Sequence, residues 1–282
     1  MDQKIINLYD EYTHKPLSRQ DFLKRLAILT GSTAAAMAIL PMLESNYAKA
    51  ATVSSEDLFT EYITYPAITG EMKAYVARPK KEAKYGTVVV IHENRGLNAH
   101  IEDVTRRAAN AGFLAIAPNA LAPLGGTPAN EDEARTLFTK LNAEETVKNF
   151  INIFTYLKTR KDSNGKFGSV GFCWGGGMSN TLAVSVPELK AAVAFYGRQA
   201  AAADVPKIKA SLQLHYASLD ERINAGIAVY EEALKANKIN YELHMYEGVN
   251  HAFHNDTAGN RYNEAAAKLA WQRTMDFFKK HL

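Results

Sequence analysis

One stretch of the chain holds residue types able to do covalent chemistry: Gly171-Phe172-Cys173-Trp174-Gly175-Gly176-Gly177. Before it, Phe167-Gly168-Ser169-Val170 reads as an apolar strand; after it, Met178 to Val184 can form a helix. Strand, sharp turn and helix form the setting that lifts a nucleophile above a sheet edge, here with Cys in the serine position of G-x-S-x-G. Such a turn needs small neighbours, and Gly171 and Gly175 carry no Cβ. The start of the following helix offers free N–H groups and a positive dipole end, which favour a thiolate. Taken alone the pentapeptide is a weak signal, because a lone Cys is often a small buried hydrophobe.

Two further residues strengthen it. Asp220 follows an apolar stretch at 212–217, in Ser218-Leu219-Asp220-Glu221, and His251 follows another at 241–246, in Glu247-Gly248-Val249-Asn250-His251. Each falls beyond the carboxyl end of a strand, where open α/β sheets place their sites. Singly, Asp220 reads as a turn residue and His251 as a loop histidine. The order nucleophile, acid, histidine gives them joint chemistry: His251 takes and returns a proton, and Asp220 fixes its tautomer and steadies the imidazolium.

The fourth stretch is His92-Glu93-Asn94-Arg95-Gly96-Leu97-Asn98, at the end of the apolar strand 87–92. A carboxylate leaving a strand beside a thiol can accept its proton, and desolvation raises its proton affinity. The plainer roles for Glu93 are an ion pair with Arg95 or a structural hydrogen bond. With H-E-x-x-G-L at 92–97, G-F-C-W-G-G at 171–176, Asp220 and G-x-x-H at 248–251, residues 55–282 resemble the dienelactone hydrolase family. The resemblance implies an α/β-hydrolase fold and cleavage of an ester or lactone through a Cys-thioester, without cofactor. It implies Cys173, His251 and Asp220 as a triad and Glu93 as the carboxylate that helps deprotonate the thiol when substrate arrives. It also implies the backbone N–H groups of Asn94 and Trp174 as the oxyanion hole.

The chain departs from that pattern where the family holds a substrate carboxylate with two arginines. The loop at 119–130 contains no Arg, and the position past the histidine reads His254-Asn255-Asp256. This speaks against dienelactone itself as substrate; Arg95, Arg198 and Arg261 are the candidate replacements, with surface solvation the plain role of any one alone. Another acyl hydrolase, a thioesterase or peptidase, and a non-catalytic binding protein on the same fold are the alternatives.

The elements that must position these residues follow from the pattern. Residues 61–65 and 71–78 read as an antiparallel strand pair turned at Gly70. Strands at 87–92, 113–117, 191–196, 212–217 and 241–246 alternate with helices at 101–111, 131–141, 143–160, 224–236 and 263–281. That alternation predicts a doubly wound, mostly parallel sheet in a single domain at 51–282. The 282 residues carry a formal charge of +3 with scattered basic residues, which makes no case for nucleic acid. The lone Cys excludes an intramolecular disulfide. No G-x-G-x-x-G or P-loop implies a nucleotide, and His251 with His254 lacks a third ligand at a recognisable spacing, so no metal is read. His92, His215 and His244 read as satisfied core or edge histidines.

Residues 1–50 differ in kind. Lys24 and Arg25 precede an apolar run at 26–43, and Ala48-Lys49-Ala50 supplies an A-x-A site, together a signal-like leader. Ser18-Arg19-Gln20-Asp21-Phe22-Leu23-Lys24 resembles a twin-arginine export motif with Gln20 at the second arginine. The expectation is a periplasmic or secreted protein starting at Ala51. Its alternatives are a cytoplasmic protein that keeps the leader, an uncleaved anchor, and a helix packed on the domain.

Overall fold

A computed structural model of the chain describes residues 1–47, Ala50 and residues 53–282. The candidate cleavage site falls outside them at Ala48, Lys49 and Ala51. An eight-stranded sheet forms the centre, in the order β1-β2-β4-β3-β5-β6-β7-β8. The strands are β1 (Leu58–Ala67), β2 (Gly70–Pro79), β3 (Tyr85–Ile91), β4 (Leu114–Pro118), β5 (Ser163–Phe172), β6 (Leu189–Phe195), β7 (Ser211–Ala217) and β8 (Tyr241–Tyr246). β1 and β2 are the expected antiparallel pair, β2 also lies antiparallel to β4, and every other pairing is parallel. Alternate residues of β3 enter cores on opposite faces: Val88 and Val90 pack with Val104 and Phe278, Val89 and Ile91 with Phe154 and Leu182. Double-sided burial is why the strand reads as one apolar run.

Parallel register brings the functional strand ends together. Ile91 of β3 pairs with Gly171 of β5, and Phe172 pairs with Phe195 of β6. Glu93 and Cys173 therefore leave adjacent strands at the same edge. Ala217 of β7 pairs with Tyr246 of β8, which sets Asp220 and His251 side by side in the same way. The helices α4 (Ala99–Asn110), α5 (Glu131–Phe138), α6 (Ala143–Leu157), α7 (Trp174–Ser185) and α10 (Glu264–His281) occupy the expected intervals within a few residues. The helix expected at 224–236 is instead two, α8 (Glu221–Asn224) and α9 (Ile227–Ala236). The Asp220 side chain caps α8 by accepting from the Ile223 N–H, so helix begins earlier than periodicity implies.

The N-terminal segment folds as α1 (Gln3–His14), α2 (Arg19–Thr30) and α3 (Thr33–Leu43), with Asp2, Ser18 and Ser32 as N-caps. The apolar run is not one continuous helix: α2 ends at Gly31 with φ 82°, and α2 and α3 meet at 110°. Among the described residues no single helix is long and apolar enough to cross a membrane. Tyr9, Tyr12, Phe22, Leu26, Leu40 and Leu43 make a small core of their own, with Tyr12 stacked on Phe22. This cap docks on the domain through directed polar contacts. Tyr12 Oη donates to Asp132 at 2.7 Å, and Arg135 lies over the Tyr12 ring while donating to its carbonyl. Arg261 lies over the Tyr9 ring, and Arg222 meets Asp10 at 3.0 Å.

The turn after β5 carries the tightest backbone packing. A Cβ on Gly171 would sit 1.8 Å from the Gly175 carbonyl oxygen, whereas one on Gly177 would meet only Arg198 atoms at 3.5 Å or more. Gly171→Ala must therefore move backbone, which costs about 1–3 kcal/mol or more. We expect its Tm to fall by at least about 2 °C in a circular dichroism melt, with Gly177→Ala close to the parent. A Gly171→Ala protein as stable as the parent would contradict this packing.

Candidate active site

Cys173 sits at the apex of that turn, with φ 57° and ψ −115°, as the residue preceding α7. A positive φ in a residue with a Cβ is strained and persists only where the surroundings enforce it. Here the Cys173 N–H donates to the Phe195 carbonyl at 3.0 Å, and its own carbonyl accepts from the Gly177 N–H at 3.2 Å. The turn holds Sγ at the carboxyl edge of the sheet, and α7 starts immediately behind it with the Trp174 amide. Trp174 is fixed by stacking on His92 and by edge contacts with Phe138 and Phe150.

His251 and Asp220 meet as the sequence implied. His251 Nδ1 lies 2.5 Å from Asp220 Oδ2, and both residues are buried. Asp220 thus holds the ring with Nδ1 protonated, leaving Nε2 to accept; Nε2 is buried with no hydrogen-bond partner among the described residues. His254 belongs elsewhere: it stacks on Phe172 in the core, and burial pushes its pKa well below the ordinary value. His92 and His215 are core residues, as their strand positions implied. The Ala120 N–H donates to His92 Nε2, His92 Nδ1 faces the Glu93 carbonyl, and burial lowers the His92 pKa to about 4. His215 bonds Tyr246 Oη and the Gln213 side chain, and burial with nearby His244 holds its pKa far down. His244, on the edge strand, lies 3.5 Å from Glu242.

Glu93 is buried, and Asn255 Nδ2 donates to its Oε2 at 2.8 Å. Asn255, in the stretch past the histidine that lacks an arginine, is thus spent on holding Glu93. Its Oδ1 is anchored in turn by the Thr257 N–H and hydroxyl. Of the two plainer roles, Glu93 takes the structural hydrogen bond; among the described residues it forms no ion pair with Arg95. Arg95 bonds the Asn94 side chain at 2.8 Å and lies 4.0 Å from Glu131. Arg261 donates to the Leu43 carbonyl and lies over Tyr9, so it anchors the cap. Arg198 is exposed on a groove beside Cys173, and its guanidinium has no ion pair among the described residues.

Sequence reading missed His14, the last residue of α1. Its Nε2 lies 3.1 Å from Cys173 Sγ, and its ring stands edge-on to that of His251 at 4.8 Å between centroids. The donor atoms of His14, Cys173 and His251 all lie within 4.8 Å of one another. His14 Nδ1 lies 2.9 Å from the Asp10 carbonyl oxygen and 3.1 Å from Asp10 Oδ1. The one legible hint was Asp10 four residues before His14, on the same helix face. Although burial opposes it, the charges of Cys173 and Asp10 raise the His14 pKa. Burial also opposes ionisation of Asp10, but His251, His14 and Arg222 hold its carboxyl far below the usual range. Next to His14, the Thr13 carbonyl accepts from Asn94 Nδ2 at 2.9 Å, tying α1 to the loop after β3.

Two spaces flank Sγ. One is a polar cavity of about 20 Å³, room for a single water, walled by Glu93, Arg95, Tyr9, His14 and His251. The other is a groove of about 570 Å³, walled by Phe138, Trp174, Tyr196 and Ile223 with Arg135 and Arg198 on its margin. His14 lines both.

Residues 72–282 match the model of the dienelactone hydrolase family. A candidate carboxymethylenebutenolidase from Synechocystis is 31% identical over 244 residues, 80% of this chain and 98% of the relative. A candidate hydrolase fragment from Escherichia coli is 48% identical over 107 residues, 36% of this chain and 92% of the fragment. A solved structure, a candidate dienelactone hydrolase from Klebsiella pneumoniae, superposes with a TM-score of 0.71 at 27% identity, covering 79% of this chain and 99% of that one.

Glu131 gives the cap a pH dependence. Burial raises its pKa to about 7 against the opposing pull of Arg95 and Arg261. A carboxyl with a raised folded pKa stabilises while protonated: the contribution is full below the ordinary value of 4.5 and is lost as pH rises through about 7. Between pH 5 and 8 the parent should lose Tm relative to Glu131→Gln, which stays neutral throughout. Parallel Tm-against-pH curves for the two proteins would contradict this.

Proposed function

The chain belongs to the dienelactone hydrolase family, has the α/β-hydrolase fold and is a hydrolase of an ester or lactone; we propose that it works through a thioester on Cys173. The observation that carries this reading is the strained turn presenting Sγ beside the Asp220-bound His251. Sulfur attacks the carbonyl carbon, and the tetrahedral oxyanion is received by the amides of Asn94 and Trp174. Each such donor contributes about 3 kcal/mol to the transition state. The Asn255 grip on Glu93 keeps the loop carrying the Asn94 amide in place. Collapse leaves the acyl group on sulfur. A water in the small cavity is then activated by His251 Nε2, with Asp220 steadying the imidazolium, and releases the acid.

The groove suits a small molecule with an apolar body, its volume lying within the usual range for such sites. Arg95 is occupied by Glu131 and Arg261 by the cap, so of the three candidate arginines Arg198 is the one left to meet a polar or acidic group of the substrate. Arg198→Ala should raise KM about 2–5-fold for an ester bearing a carboxylate, the worth of one exposed ion pair, and leave KM for its neutral counterpart unchanged. Equal effects on both esters would remove Arg198 from substrate binding.

The test of the reaction is steady-state hydrolysis of p-nitrophenyl acetate and of simple lactones. Cys173→Ala should abolish turnover, and His251→Ala should cost steady-state turnover as much, because the thioester would then not be hydrolysed. Asp220→Asn should cost less but still orders of magnitude. Parental activity in Cys173→Ala would place the chemistry at another residue.

A further inference from the structure

Resting on the reading of Cys173 as nucleophile, we propose that His14 is a second catalytic histidine, the base that takes the Cys173 proton for acylation while His251 serves hydrolysis of the thioester. Hydrogen-bond direction argues for this division. His14 Nδ1 faces the Asp10 carbonyl, an acceptor only, so Nδ1 carries the ring proton and Nε2 accepts from the thiol. The Asp10 carboxylate at 3.1 Å is placed to steady the imidazolium that results. An Asp–His pair thus reaches the sulfur from α1, alongside the Asp220–His251 pair from the strand ends. The described structure gives His251 Nε2 no partner, which leaves it for water.

The charged and titratable surroundings are consistent. Arg222 bridges the two pairs, 3.0 Å from Asp10 and 3.5 Å from His251 Nδ1. Tyr196 faces Cys173 and Glu93 from the end of β6 and stays neutral, because burial raises its pKa far above the usual value. Glu93 is gripped by Asn255 and does not take the thiol hydrogen bond. In this arrangement the thiol hydrogen bond goes to His14 rather than to Glu93.

The protons balance. The Sγ proton passes to His14 Nε2, and sulfur bonds to the carbonyl carbon. The ester C–O bond breaks, and the leaving oxygen takes the proton from His14. His251 Nε2 then removes a proton from water, whose oxygen bonds to the thioester carbon. The C–S bond breaks, and the departing sulfur is neutralised by the proton on His251. One ester and one water become one acid and one alcohol. Cleavage at the A-x-A stretch would remove α1 and His14 with it, so this activity belongs to the chain that keeps its N-terminus.

The experiment uses the full chain and p-nitrophenyl acetate, with burst and steady-state phases separated by stopped flow, and iodoacetamide labelling of Cys173 followed across pH. His14→Gln should slow the burst by about 10²–10⁴-fold, the usual loss of a general base. It should leave the rate of thioester hydrolysis unchanged and shift labelling to higher pH. His251→Ala should retain the burst and stall afterwards. Added imidazole should restore the burst of His14→Ala, a rescue that a purely structural role for His14 would not allow. The proposal is overturned by a normal burst and labelling profile in His14→Gln, by failure of imidazole rescue, or by a labelling shift found in Glu93→Gln instead. If Cys173→Ala remains active, the thioester reading itself fails; if only His14→Gln is silent, that reading stands without His14.

Discussion

The structure depends on one strained peptide corner. Cys173 adopts a positive φ because β5 and α7 approach so closely that Gly171 and Gly175 leave no room for a Cβ on either side. A Cβ on Gly175 would lie 2.3 Å from the Ile91 carbonyl oxygen, so the corner is also wedged against β3. Strain of about 1–3 kcal/mol at such a residue is held by the surrounding sheet. In return, the sulfur stands clear of the strand with a helix N-terminus behind it, and its neighbours approach from three directions. Asn94 arrives from β3, His251 from β8 and His14 from the cap.

The two Asp–His pairs differ in what anchors them. Asp220 and His251 leave adjacent parallel strands, so their geometry is set by the sheet. Asp10 and His14 lie one turn apart on α1, and their placement depends on how the cap docks. That docking rests on directed contacts: the Arg261 and Arg135 guanidinium planes over Tyr9 and Tyr12, and the Asn94 side chain on the Thr13 carbonyl. Cation–π contacts of this kind contribute about 0.5–2 kcal/mol each. Arg261, one of the three arginines that could meet a substrate carboxylate, is thereby given to holding the helix that closes the site.

Much of this was legible in the sequence. Buried parallel strands read as apolar runs because both faces are covered, and the corner announced itself because only glycine fits at 171 and 175. The order Cys173, Asp220, His251 was readable because each follows a strand. Three features were not. His14 and Cys173 are 159 residues apart, and no local pattern encodes that contact. Lys24, Arg25 and the Ala/Leu-rich run also have the composition of a leader, which hid the break at Gly31 and Ser32 that folds the run back on itself. The early start of α8 was invisible because it comes from Asp220 capping a helix one turn before the periodic run while also serving His251.

The central claim is a covalent bond to one sulfur. The most direct measurement mixes the full-length protein with p-nitrophenyl acetate, quenches in acid within the first turnover and maps the modified peptide by mass spectrometry. One acetyl group is expected, on Cys173, which disappears as turnover is allowed to finish and persists in His251→Ala. An active enzyme that never carries acetyl on Cys173, or carries it on another residue, would contradict it.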